Sequence, residues 1–251
     1  MAAIIVEPLL GSSGMIRSTD AYLGALRELA DEIGAVLIFD EVMTFRLDRG
    51  GYQSLVKIRP DLTIFGKIIG GGLPVGAFGG DSSLMEQFAP PPIGFMTHSG
   101  TFNGHPAVMA GGIATLDLLG TDAIARLNAL GDQARNGLNA IFTGCGLNAV
   151  ATGYGSLLDV HFGATTVSSV HDARHTPLEL TAAIHLELMN RGIFIAPRGM
   201  MNLSTAAKER EVDDLLSAWR GTLETLMPVI DEAYPDLHQR QPAPALAEQV
   251  H

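Results

Sequence analysis

Three uninterrupted apolar runs punctuate the first third of the chain, and each stops at a charged or glycine-bearing position. Ile4-Ile5-Val6 ends at Glu7-Pro8, Val36-Leu37-Ile38-Phe39 ends at Asp40-Glu41, and Leu62-Thr63-Ile64-Phe65 ends at Gly66-Lys67. Short continuous runs of this kind suit strands of a parallel sheet covered on both faces. Between the first two, Leu23, Leu26, Leu29, Ala30 and Ile33 recur at helical spacing. They predict a helix over 20–33, with Ser18 or Thr19 as its N-cap and Gly34 as its stop. Strand, helix, strand is a βαβ unit, so the fold class is α/β. Pro74 to Gly80 reads as a hairpin-like return. The small-residue segment 107–119 reads as a buried helix after a loop from His98 to Pro106.

The pattern changes near residue 120. A helix is expected over 122–142, then an alternating strand from Ser156 to Phe162. Thr176-Pro177-Leu178-Glu179 has the form of a capping box that opens a helix ending near Arg191-Gly192. Ile193-Phe194-Ile195 reads as a short strand, and 208–232 as a final long helix. The expected organisation is therefore a partial large domain (1–119), a C-terminal α+β small domain (120–234) and a polar tail (235–251).

Composition narrows the function classes. A net charge of -11, from 27 acidic and 16 basic residues, disfavours nonspecific nucleic-acid binding, which draws on a basic surface. One cysteine, Cys145, excludes an internal disulfide framework and points to a reducing, cytoplasmic setting. No apolar run is long enough to span a bilayer, and the first residues lack the basic start of a signal peptide. His171-Asp172-Ala173-Arg174-His175 mimics a zinc-helix spacing but precedes the expected cap rather than lying on an apolar helix, so no metal site is assigned.

Ligands of open α/β sheets gather at the carboxyl ends of the strands. Glu7, Asp40 and Lys67 all stand at such ends. Lys67 is one of three lysines and opens the glycine turn Gly70-Gly71-Gly72. A phosphate loop fails here, because Asp61 stands where the first glycine is needed and Ile68 replaces the hydroxyl residue. A solvated surface lysine and an amine that condenses with a carbonyl both remain. Asp40 is likewise either a loop carboxylate or a group that keeps a pyridinium nitrogen protonated, and Val42 is placed to pack on a flat ring.

These segments resemble one known family. Leu37-Ile38-Phe39-Asp40-Glu41-Val42-Met43-Thr44, the run from Pro60 to Ala77, Ser99-Gly100-Thr101-Phe102-Asn103-Gly104-His105-Pro106 and Val6-Glu7-Pro8 are similar, in order, to motifs of the class III aminotransferases. Those enzymes depend on pyridoxal 5′-phosphate (PLP), and the resemblance is closest to the group that contains glutamate-1-semialdehyde aminomutase. It implies fold type I, with Lys67 as the catalytic Schiff-base lysine and Asp40 and Val42 as cofactor-binding residues. It also implies Thr101 on the cofactor phosphate of a neighbouring subunit, and hence a homodimer with shared active sites. The chain departs from the pattern in two ways. Thr44 is followed directly by Phe45-Arg46, one residue short, and the family's N-terminal portion is not matched.

Between Ala196 and Ser204, where the aminomutase places a glutamate, the sole charged residue is Arg198, a candidate for binding a substrate carboxylate. The expected function is a PLP-dependent aminotransferase moving an amino group between an amino acid, β-amino acid or amine and a keto acid. The alternatives are glutamate-1-semialdehyde 2,1-aminomutase and an inactive truncated homologue.

Overall fold

A computed structural model describes residues 1–239. β1 (Ala3–Val6) leads into a hairpin of β2 (Leu9–Leu10) and β3 (Ile16–Arg17), then α1 (Asp20–Ile33) and β4 (Val36–Asp40). The Thr19 hydroxyl caps α1 by accepting the Tyr22 N–H at 3.1 Å. Gly34, at φ 65°, ends the helix by turning its N–H back onto the Ala30 carbonyl. α2 (Tyr52–Val56) precedes β5 (Leu62–Gly66), and β6 (Gly76–Gly80) returns beside it. The sheet order is β1-β4-β5-β6, parallel except for the last pair. Asp61 ties helix to sheet, its carboxylate accepting from Arg27 at 2.9 Å and from the Leu37 N–H at 2.6 Å.

Leu37 and Phe39 of β4 pack with Leu23 and Ala30 of α1 and with Leu9 and Tyr52 in one apolar cluster. The other face of the sheet differs from expectation. Val36 and Ile38 are only half-buried and Ile5 is 60% exposed, so among the described residues one face of the sheet is packed and one is open. α3 (Ser82–Met85) is short, and α4 (Pro106–Leu118) follows it. α4 is apolar all round yet buries only Gly112, whereas the sequence reading expected a buried helix. Apolar composition expresses a demand for cover; among the described residues the segment 67–72 supplies it only in part.

Beyond it, α5 (Thr121–Gly144) packs on β7 (Ala149–Tyr154) and β8 (Leu157–Phe162), and short α6 (Val170–Ala173) leads to α7 (Leu178–Asn190). β9 (Met201–Asn202) pairs with β8, and α8 (Glu209–Ala233) lies against α5 and α7. Their shared core centres on Phe142, Phe162 and Trp219, with Phe142 and Trp219 edge-to-face at 5.7 Å.

Three local expectations are corrected. Thr176 does not cap α7; its hydroxyl instead accepts the Phe162 N–H at 3.0 Å, bonding the end of β8. The capping box lies earlier, at Ser169 and Asp172. Residues 193–195 form no strand, because β9 takes the place beside β8. Residues 235–239 are not a loose tail, since Leu237 is buried and His238 bridges Leu147; the rest of the expected tail lies outside the described residues.

Trp219→Ala is expected to lower unfolding free energy by about 3–5 kcal/mol through loss of a filled core position, read from the midpoint of urea unfolding.

Candidate active site

The register between β4 and β5 pairs Asp40 with Ile64, so Lys67 stands three residues past that pair, at the neighbouring strand end. Gly66 leaves β5 fully extended and Lys67 turns left-handed at φ 48°, opening a 3₁₀ turn over Lys67–Gly70. A left-handed non-glycine residue costs roughly 1–2 kcal/mol, which the surrounding packing holds in place. That packing explains the glycines. A Cβ on Gly71 would lie 2.2 Å from the Gly111 carbonyl oxygen, and one on Gly112 would lie 2.3 Å from that of Ile69. The glycine turn therefore fits against the backbone of α4.

Lys67 is exposed and makes no ion pair or side-chain hydrogen bond among the described residues. Its side chain borders a cavity of ≈ 720 Å³ together with Val42, Arg46, Leu157, Leu203 and Ser204. Asp40 is half-buried, and its Oδ1 accepts the Val42 N–H at 3.0 Å. That bond sets the turn which presents Val42 beside Gly66, where a Cβ would meet Val42 at 3.3 Å. An uncommitted amine, a carboxylate with one oxygen free of side-chain donors and a β-branched wall are thus gathered at two adjacent strand ends. An aldehyde-bearing pyridine needs that donor set, and so PLP fits the residues present.

Sequence reading missed what fixes this turn. Glu41 is fully buried, and its carboxylate accepts the Tyr52 N–H at 2.5 Å, the Gln53 N–H at 3.0 Å and the Thr44 hydroxyl at 3.0 Å. Burial pushes its pKa above the ordinary carboxylate range while these donors pull it back. Gly51, at φ 76°, is required there, since a Cβ would sit 2.7 Å from Oε1. Five residues on, Arg46 crosses to the second cluster of elements, donating to Ser156 Oγ at 3.1 Å and to the Leu203 carbonyl. The signal available was a glutamate following a buried strand, where an unpaired charge is untenable.

Arg198 and Thr101 stand apart from Lys67. Arg198 is exposed and lines a second cavity, of ≈ 660 Å³, with Ser12, Ser13, Asp159, His161 and Arg174. Leu157 and Leu203 wall the first cavity while Asp159 and Arg198 wall the second, so both share β8 and the segment 197–205. Thr101 is exposed in a turn and borders neither cavity. Its neighbours Phe102 and Asn103 line an apolar groove with Phe78, His98 and Ile113. His171 and His175 face each other with ring centroids 5.2 Å apart, and no third ligating side chain joins them among the described residues.

A family model described as aminotransferase class-III matches residues 1–208. The chain is 37% identical over 230 residues to glutamate-1-semialdehyde 2,1-aminomutase 1 of Macrococcus caseolyticus (strain JCSC5402), covering 90% of this chain and 53% of that protein. It superposes on the crystal structure of a β-phenylalanine aminotransferase from Variovorax paradoxus with a TM-score of 0.87 and 38% identity, covering 90% of this chain and 53% of the other. A transaminase solved with PLP bound matches at a TM-score of 0.83 and 31% identity, over 90% and 53% of the two chains. The chain spans about half the length of the curated relatives it matches.

Because both Glu41 oxygens accept hydrogen bonds, Glu41→Gln sets an NH₂ against an N–H or hydroxyl donor. The expected cost is about 1–3 kcal/mol, measured by chemical denaturation, together with faster amide exchange across residues 40–53.

Proposed function

From the premise that the chain belongs to the class-III aminotransferases, we propose that it carries the lysine half of a PLP-dependent amino-transfer site. The observation that carries this is the placement of Lys67, just past the end of β5, and Asp40, at the end of β4, on two paired parallel strands. When bound, PLP supplies an aldehyde that condenses with amines and a ring that withdraws electrons from the substrate carbon. Lys67 Nζ is the group that holds the cofactor and afterwards carries the proton at that carbon. Asp40 would accept the ring N–H and keep it protonated, and Val42 would pack on one ring face. The Glu41 bonds hold Asp40 and Val42 in register, so little of their orientation is lost to side-chain freedom.

Amino acid or amine donors and keto acid acceptors are the proposed substrates, with Arg198 taking a carboxylate. β-Amino acids enter this class through the relative from Variovorax paradoxus. The lack of any acidic residue between Ala196 and Ser204 supports transamination over the aminomutase reading, which rests on the Macrococcus caseolyticus relative. Thr101 is proposed to reach the cofactor phosphate of a second copy; its exposure, and the fact that it lines neither the Lys67 nor the Arg198 cavity, support that role. The setting is taken as cytoplasmic: Cys145 is the sole cysteine, and no single described helix is long and apolar enough to cross a membrane.

The purified chain incubated with PLP is expected to develop a visible absorbance band that borohydride removes, with the reduced label mapped to Lys67 by peptide mass spectrometry. Lys67→Ala should take up no label, and Asp40→Asn should weaken cofactor binding by at least about tenfold, the loss of one charge-assisted contact. An unlabelled wild-type chain refutes cofactor binding by this chain alone. Should label be taken up, product formation without any keto acid acceptor would favour the aminomutase.

A further inference from the structure

Asp159 is 3% exposed, yet among the described residues its carboxylate accepts one hydrogen bond, from the Val160 N–H at 2.9 Å. It stands on β8 in the wall of the Arg198 cavity, under the loop that carries Arg198. Gly199, at φ 96°, lets that loop lie flat on the strand, since a Cβ there would be 3.1 Å from Asp159 Oδ1 and 3.0 Å from the Val160 carbonyl oxygen. Arg198 itself remains exposed. Its recorded contact is a weak one to Met200 Sδ at 3.4 Å, and no ion pair joins it to Asp159 among the described residues. A buried carboxyl group and a guanidinium uncommitted to any acid thus share one cavity.

We propose that Asp159 makes carboxylate binding at Arg198 proton-linked: the neutral acid leaves the guanidinium to an incoming carboxylate, and the ionised acid competes for it. This rests on the reading of Arg198 as the carboxylate-binding residue. A ligand carboxylate at Arg198 places a second negative charge in the cavity and takes up the cation that favours ionised Asp159. Both effects draw a proton from solvent onto the Asp159 carboxyl group, and by linkage that proton strengthens ligand binding equally.

The poise of the acid suits this role. Burial raises the Asp159 pKa to about 7, with the Val160 hydrogen bond and the Arg198 charge acting in the opposite direction. The other ionisable groups facing the cavity are His161, on β8, Arg174, just after α6, and Arg198. His161 Nε2 lies 3.0 Å from the Gly14 carbonyl oxygen and 3.1 Å from Thr152 Oγ1, and burial lowers its pKa, so it stays neutral at and above neutral pH. The hairpin loop at Ser12 and Ser13 and the first turns of α7 add no titrating side chain to this wall. Asp159 is therefore the group in the cavity that changes charge across neutral pH.

Succinate is a suitable probe, titrated calorimetrically into the full chain without PLP, so that the outcome is independent of cofactor binding. Binding is expected to weaken about tenfold between about pH 6 and about pH 8, as one acid ionises. Asp159→Asn should bind at both pH values with the wild-type affinity of the lower one, and Arg198→Gln should lose binding at both. Retention of the pH dependence in Asp159→Asn would assign it to another group and overturn the proposal. Wild-type binding with no pH dependence overturns the proton linkage while leaving Arg198 as the carboxylate site. No binding, or binding that survives Arg198→Gln, overturns the Arg198 reading and the linkage with it. If the asparagine variant fails to fold, wild-type titrations in two buffers of different ionisation heat still decide: net proton uptake near neutrality is expected, and zero uptake rejects the proposal.

Discussion

Glu41 brings a carboxylate into a place without water, and three donors from the segment that follows converge on it: the Tyr52 and Gln53 N–H groups and the Thr44 hydroxyl. A buried charge that lost these partners would cost several kcal/mol (an order-of-magnitude figure), so the turn after β4 has one low-energy shape. That shape decides where Asp40 ends, where Val42 faces and where Arg46 departs. Because Arg46 bonds Ser156 and Leu203 on the other cluster of elements, the same turn sets how the segment bearing β9 lies over Lys67. Asp40, Val42 and the segment around Leu203 are therefore positioned by a single network, although 157 residues separate Arg46 from Leu203 in sequence.

A second constraint is close backbone approach. The Lys67 turn and α4 meet with no room for a Cβ at Gly71, against the Gly111 carbonyl, or at Gly112, against the Ile69 carbonyl. This contact fixes the unusual backbone of Lys67 without using its side chain, so the amine remains free. The same economy recurs at Gly199, which lowers the Arg198 loop onto β8 and brings a guanidinium near a buried acid while leaving both uncommitted. In each case a glycine fixes a reactive side chain by removing bulk beside it rather than by adding a bond to it.

The open face of the sheet and the exposed apolar surface of α4 belong to the same picture. Ile5, Ile113 and Leu118 are more than half exposed, an unusual state for such residues on a strand and a helix. The chain spans about half the length of the relatives it matches; Leu118 lines the Lys67 cavity, and Ile113 lines the groove with Phe102 and Asn103.

The parallel strands, α1 with its Thr19 cap and Gly34 stop, and the two strand ends bearing Asp40 and Lys67 were legible in the sequence. Each follows from local rules: apolar run length, helical period, left-handed glycine, and the tendency of sites to gather at carboxyl ends. The failures also have particular causes. Ser156 to Phe162 alternates in polarity, yet all six residues of β8 are buried because the β2–β3 hairpin covers the side carrying Asp159 and His161. Thr176 was read as a helix cap, but the end of β8 offers its hydroxyl both a donor and an acceptor. Residues 107–119 were read as buried because local pattern records a preference for burial, not the presence of a neighbour. The sequence by itself determined which residues can do the chemistry, since an amine, a carboxylate and a guanidinium are properties of residue type. The tertiary structure alone decided which are desolvated, paired or left free, because those states depend on which neighbouring segments close over each group, and no local pattern encodes that approach.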